Sequence, residues 1–166
     1  MAVLDLNNIK ENIQTVLQAQ NTTTASILDL SNGLTERIKK VFKKHPRHLV
    51  GQASEMPCVT VFIDGKTIEN TTISPNQRTQ AKRKAEVNVH VAAMLWDNNF
   101  GTNDDDEAED DIESVIENVE EILRNDPTVS GTVDFIIPQD VVFFNLYEDN
   151  AHMVTGVLSL KVVKLY

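Results

Sequence analysis

The chain has 166 residues, a formal net charge of −10 and a hydrophobic fraction of 41%, a composition that predicts one globular domain and is short for two. Its single cysteine, Cys58, excludes an internal disulfide and is typical of a reducing compartment. The apolar runs are too short to span a membrane and the first residues do not resemble a secretory signal, so neither a membrane protein nor a secreted one is expected.

The first predicted element is a helix over residues 6–20. Asp5 or Asn7 can cap its start, and the polar β-branched run that begins after Asn21 is expected to end it. One side of this helix should face the core, because its hydrophobic residues recur at helical spacing: Leu6, Ile9, Ile13, Val16 and Leu17.

Residues 31–44 fit two different structures. A lysine-protected edge strand over residues 37–42 is one of them. The other is a short helix ended by His45-Pro46, and we favour it. The helix is indicated by apolar residues that recur at helical spacing: Leu34, Ile38 and Val41.

From Met56 the pattern changes to that of a β-strand, because apolar residues come at every second position. Asp64-Gly65 predicts a turn, and the polar residues 65–82 are expected to form an exposed loop or a long hairpin arm. A second strand follows over residues 86–96, roughly 35 Å long at about 3.3 Å per residue. One face of that strand should be buried: Val87, Val89, Val91, Ala93 and Leu95.

Residues 97–107 are expected to form another exposed loop, and residues 107–124 a helix. Acidic residues in its first turn suit the positive end of the helix dipole. The helix should pack on the core, because it carries a continuous apolar stripe: Ala108, Ile112, Val115, Ile116, Val119, Ile122 and Leu123.

Three strands are predicted after this helix. Two short ones, 132–137 and 141–147, are expected to be joined by a turn that contains Pro138, and a long final strand covers 152–165. The order of elements predicts a single α+β domain over residues 1–166. In that domain helices cover one face of a mainly antiparallel sheet, and the long strands project beyond the core.

Charged residues are segregated along the chain. Eleven of the 25 acidic residues and none of the 15 basic ones lie between Asp104 and Glu121, whereas basic residues gather in 37–47 and 78–84. This distribution fits either solvated faces or an electrostatic dipole that docks like subunits. On the second interpretation, the candidate interface residues are Arg78, Lys82, Arg83, Lys84, Asp110, Asp111, Glu113 and Glu117.

The sequence lacks the motifs of catalysis and of cofactor binding. It has no glycine-rich phosphate loop, no nucleophile elbow and no arrangement of paired carboxylates. The acidic run 104–111 lacks the alternating ligands and the central glycine of a calcium loop. His45 and His48 are separated by a proline and have no third metal ligand nearby. We therefore expect a protein that is not an enzyme, with no catalytic residues, no cofactor and no metal.

The order of these features resembles one family. An N-terminal helix precedes the strand PCVTVFI at 57–63, a polar arm leads into RKAEVNVHV at 83–91, and the acidic helix ends in ILRNDP at 122–127 before the closing strands. This layout, which extends over residues 6–166, is similar to that of the tail terminator (tail completion) proteins of long-tailed bacterial viruses.

The resemblance implies a structural virion protein that assembles with copies of itself into a ring, usually a hexamer. Such a ring caps the tail tube, terminates tail growth and joins the tail to the head–tail connector, while DNA passes through its lumen without sequence-specific binding. The implied partners are further copies, the tail tube protein and the connector protein, with no membrane, and assembly would take place in the host cytoplasm. The alternatives are another neck or tail-tube subunit, or a small non-viral adaptor domain that binds another protein.

Overall fold

The structure is a computed structural model that describes residues 4–21, 28, 38–70, 83–97, 107–148 and 151–165. Within these ranges two α-helices occur, α1 (Leu6–Ala19) and α2 (Glu107–Asn125). The strands are β1 (Lys40–Phe42), β2 (Cys58–Asn70), β3 (Arg83–Asp97), β4 (Phe135–Glu148) and β5 (Ala151–Leu165). Two single 3-10 turns, Pro46–His48 and Ala53–Glu55, connect β1 to β2.

All five strands belong to one sheet, in the order β1-β2-β3-β5-β4. β1 is parallel to β2, and every other neighbouring pair is antiparallel, which confirms the predicted α+β class with a mainly antiparallel sheet. β3 pairs with β5 from Lys84 opposite Leu165 to Asp97 opposite His152. These 15-residue strands extend for roughly 50 Å, whereas the 19 residues of α2 extend for roughly 28 Å, so the sheet is longer than the helix that covers it.

The first helix begins where its sequence predicts. The Asp5 side chain accepts hydrogen bonds from the backbone N–H groups of Asn7 and Asn8, which would otherwise have no partner inside the helix. The predicted apolar stripe is buried at Ile9, Ile13 and Leu17. The helix prediction over residues 6–20 is therefore confirmed to within one residue.

The main core lies between the sheet and the two helices. One face of β3 is buried in it as predicted, together with the apolar stripe of α2 and the inward side of β5. A smaller cluster lies on the other face of the sheet, where the segment between β1 and β2 covers part of β3. It consists of Leu49, Met56, Cys58, Met94 and Met153.

The short helix predicted within residues 31–44 is wrong where the structure describes that segment. Lys40–Phe42 form β1 at the edge of the sheet, with Val41 opposite Val59. The edge-strand alternative was thus the correct one, because backbone pairing with β2 outweighs a weak local helix pattern. Residues 31–37 lie outside the described residues.

β2 continues past the turn that was predicted at Gly65. A bulge next to this glycine takes up one extra residue, after which β2 pairs with β3 as far as Asn70. For residues 65–70 the loop is therefore wrong and the hairpin arm is correct, because they pair with β3 as one arm of a hairpin. Residues 71–82 lie outside the described residues. The interior of the predicted loop 97–107 lies outside them as well.

One continuous strand, β4, replaces the two short strands predicted at 132–137 and 141–147. The register against β5 shifts between Pro138 and Asp140, so Gln139 is the extra residue of a bulge and not the tip of a turn. Proline and aspartate favour turns, which explains the prediction. An edge strand also tolerates proline at a bulge, because the missing N–H there costs no ladder hydrogen bond.

Candidate interaction surfaces at the two sheet edges

The edge strand β1 is closed by side chains from α1 and its C-terminal end. The Val41 N–H donates to Gln18 Oε1 (3.1 Å), and the Val41 carbonyl accepts from Gln14 Nε2 (2.7 Å). In the same way, Asn21 Nδ2 donates to the Ile38 carbonyl (3.0 Å). Val41 and Ile38 are both buried, so these amides satisfy backbone groups that have little access to water. A further strand would have to break these bonds in order to pair at Val41.

The surroundings of β1 are basic. The ammonium groups of Lys40 and Lys44 lie 5.1 and 4.5 Å from the centre of the Phe42 ring, within the range of cation–π attraction. Lys43 forms an ion pair with Glu11 of α1. Lysines on an edge strand also discourage the addition of another strand. We call this surface the basic edge; it comprises Lys39, Lys40, Lys43 and Lys44.

Among the described residues, the opposite edge strand, β4, is open along its second half. Before the bulge, the Ile136 N–H donates to the Pro127 carbonyl (2.9 Å), so the preceding turn covers that end of the edge. After the bulge, no strand in the described ranges pairs with β4 on the side away from β5. Three consecutive apolar side chains are exposed there: Val142 (52%), Phe143 (44%) and Phe144 (39%).

A groove runs between this open edge and the start of α2. Glu109, Ile112 and Glu113 line it from the helix, and Phe143 and Asn145 line it from the strand. Asn145 Nδ2 donates to Glu109 Oε1 (3.3 Å) and so connects the two walls. The groove therefore combines an acidic wall with an apolar strand.

Gly156 of β5 sets how closely the groove walls approach the sheet. A Cβ atom at this position would lie 2.7 Å from Ile116 Cγ1 and 2.9 Å from Phe143 Cε1, distances that real Cβ contacts do not show. Glycine thus allows α2 and the Phe143 ring to pack directly on β5. Because side chains alternate along a strand, Val142 and Phe144 lie on the opposite face of the sheet.

Acidic side chains form a row along the exposed side of α2. Like charges at four-residue spacing destabilise an isolated helix by roughly 0.2–0.5 kcal/mol per pair, so this row is not there for the stability of the helix. Among the predicted acidic interface residues, Asp110, Glu113 and Glu117 are exposed and Asp111 is half-buried. We call the surface the acidic row; it comprises the exposed residues Glu109, Glu113, Glu117 and Glu121.

The predicted basic interface residues are only partly described. Arg83 is exposed and Lys84 is half-buried at the start of β3. Lys84 Nζ lies 2.5 Å from Glu86 Oε1, and Lys161 Nζ of β5 lies 2.7 Å from Glu86 Oε2. The other two predicted residues lie outside the described ranges: Arg78 and Lys82.

In this ion-pair cluster, Lys84 is paired with a carboxylate of its own subunit. Hydrogen bonds from Lys161 and then Lys84 lower the pKa of Glu86 from 4.5 to about 2. The hydrogen bond with Glu86 in turn raises the pKa of Lys84. Sequence reasoning missed the roles of Glu86 and Lys161, because only the register of β3 against β5 brings the two side chains together.

One thiol and two imidazoles pack against other side chains of the sheet. Burial raises the pKa of the Cys58 thiol to about 12, so it stays protonated and unreactive at neutral pH. The rings of His45 and His90 pack against Phe62, with centroid distances of 4.7 and 5.1 Å. In the part of the chain that the structure describes, no group of three or more His, Cys, Asp or Glu side chains could hold a metal ion.

No protein-family profile matches this chain, and no curated protein sequence shows significant similarity to it. Within the described ranges, no helix is both long enough and apolar enough to cross a membrane.

Proposed function

We propose that this protein is a tail terminator subunit of a long-tailed bacterial virus. It forms a closed ring that caps the tail tube, ends tail growth and joins the tail to the head connector. Its partners are further copies of itself, the tail tube protein and the connector protein, with DNA passing through the ring. The observation that carries the proposal is the opposite charge of two surfaces, the basic edge at β1 and the acidic row on α2.

A closed ring of identical subunits needs two different and complementary surfaces on each subunit. The basic edge and the acidic row are such a pair. α1 packs over β1 and β2, whereas α2 packs over β3 and β5, so the two charged surfaces lie towards opposite edges of the sheet. Four strand spacings, roughly 19 Å, separate those edges. In a head-to-tail contact the basic edge of one copy meets the acidic row of the next, and like charges stay apart.

The sequence layout adds independent support. The order of helix, strand, polar arm, long strand, acidic helix and closing strands is similar to that of the terminator family. A sheet that is longer than its covering helix also suits a subunit whose strands contact neighbours above or beside it.

Cross-linking tests the head-to-tail contact. Lys40→Cys and Glu117→Cys variants would be mixed and treated with a short bis-maleimide; the native Cys58 is buried and does not compete. We expect dimers from the mixture, no dimers from either variant alone, and a ladder of linked subunits from the double variant. Asn88→Cys, an exposed position in the middle of the sheet, is the matched control and should not link to Glu117→Cys. Dimers from a single variant would indicate a twofold contact and contradict the ring.

Electron microscopy of virus particles that lack the protein tests the function itself. The proposal predicts tails of uncontrolled length, or finished tails that fail to join heads. Tails of normal length attached to full heads would contradict the terminator role and would favour the adaptor alternative.

A further inference from the structure

The charge pairing proposed between the basic edge and the acidic row makes no use of the backbone groups of β4 after its bulge. We propose that its outer edge binds an extended, basic segment of a different protein chain as an additional strand of the sheet. The inference rests on the edge strand and on the groove beside it.

Strand addition requires an edge whose backbone groups are available. An edge strand directs alternate N–H and C=O groups outward, where they form hydrogen bonds with an added strand. Soluble proteins usually guard such an edge with lysines, prolines, bulges or a covering segment. Among the described residues, these features protect β4 up to Asp140: Pro138, the bulge, and the preceding turn, whose Pro127 carbonyl accepts from the Ile136 N–H. From Val141 onward it contains no proline, lysine or arginine.

The side chains of an added strand would meet two different surfaces, one on each face of the sheet. Towards α2 it would meet the carboxylates of Glu109 and Glu113, which favour lysine or arginine. On the other face it would lie beside Val142 and Phe144, which favour apolar side chains. Because side chains alternate along a strand, the matching segment has basic residues at every second position and apolar residues between them.

A second copy of this chain is not the expected occupant of the β4 edge. If two β4 strands paired about a twofold axis perpendicular to the sheet, both α2 helices would lie on the same face, with their acidic rows close together. In the described ranges, the basic strands of this chain are also occupied. Lys84 lies in β3, which is paired with both β2 and β5, and the backbone of Val41 is bonded to α1.

A labelled synthetic peptide of about seven alternating lysine and valine residues, a typical strand length, is the probe. Its binding to the full chain would be followed by fluorescence anisotropy, and an alternating glutamate and valine peptide serves as the charge control. The test variant is Val142→Lys with Phe144→Lys, which guards the open half of the edge. Its matched control is Ile137→Lys, an exposed residue of the same strand on the covered side of the bulge.

We expect the lysine peptide to bind the native chain and the Ile137→Lys variant equally, and to bind the double-lysine variant on the order of tenfold more weakly. Glu113→Lys should weaken binding in a salt-dependent way, because it reverses a carboxylate that lines the groove. Equal binding of the glutamate peptide, equal binding by the double-lysine variant, or no binding of the lysine peptide would overturn the proposal. A double-lysine variant that dissociates an oligomer in light scattering would also overturn it, because the edge would then be filled by a second copy.

Discussion

The two edges of this sheet deal with the same physical problem in different ways. At β1 the strand is three residues long, flanked by lysines, and its central peptide groups are bonded to glutamines of α1. At β4 the strand is 14 residues long, and its second half presents exposed valine and phenylalanine beside an acidic groove. The two edges of one sheet therefore differ in protection: side-chain hydrogen bonds and lysines guard β1, whereas in the described part of the chain the second half of β4 has neither.

The largest expected effect comes from Gly156→Ala, which disturbs the packing of α2 and β4 against β5. The new methyl group would clash with Ile116 and Phe143, so α2 and the β4 side chain must move away from β5. We expect a loss of about 1–3 kcal/mol in the free energy of unfolding, measured by urea denaturation.

Gly65→Ala is the matched control on β2. A Cβ atom there would meet only Asn88 Nδ2, at an ordinary distance of 3.7 Å. The stability of this variant should change by less than about 0.5 kcal/mol. If both variants were equally stable, the close approach of α2 to β5 would be wrong.

The next effect in size concerns the closed edge. Gln18→Ala removes the acceptor of the Val41 N–H and leaves a buried donor without its partner. We expect a loss of about 1–2 kcal/mol in the free energy of unfolding. Asn12→Ala removes only hydrogen bonds within α1 and should cost much less. Equal costs for both variants would mean that α1 does not close this edge.

Local patterns predicted most of the fold, and long-range pairing explains what they missed. The helices and the central strands follow from periodicity, since burial of one stripe decides their structure. The sequence could not decide between a strand and a helix at β1, because its strand depends on a partner, β2, that lies beyond two turns. The bulge at Gln139 could not be told from a turn, because β5 fixes its register. For the same reason the contact between Glu86 and Lys161 was out of reach of the sequence.

A smaller effect is expected at the acidic row. Glu117→Lys places a positive charge between the negative charges of Glu113 and Glu121, which lie one helical turn away on each side. Two like-charge pairs thus become two opposite-charge pairs. It should raise the free energy of unfolding by roughly 0.2–0.5 kcal/mol per pair while weakening head-to-tail assembly. Glu117→Gln is the control that removes repulsion without reversing charge. If Glu117→Lys assembled as well as the native chain, the acidic row would not take part in assembly.

The smallest effect is expected at Glu86, because solvent partly screens its ion pairs with Lys84 and Lys161. Because its pKa is lowered from 4.5 to about 2, its contribution to stability is present above about pH 4.5 and is lost as the pH falls towards 2. In Glu86→Gln, the stability of the chain should fall less steeply over that range, as measured by thermal unfolding at several pH values. An unchanged pH profile would contradict the ion-pair cluster.

Amide hydrogen exchange of the free subunit, measured by NMR, tests the difference between the two edges most directly. A closed β1 predicts a strongly protected Val41 amide, because this N–H is buried and bonded to Gln18. An open β4 predicts that every second amide from Val141 to Tyr147 exchanges rapidly, while the amides between them, bonded to β5, are slow. Uniform protection along β4, or rapid exchange at Val41, would contradict the account.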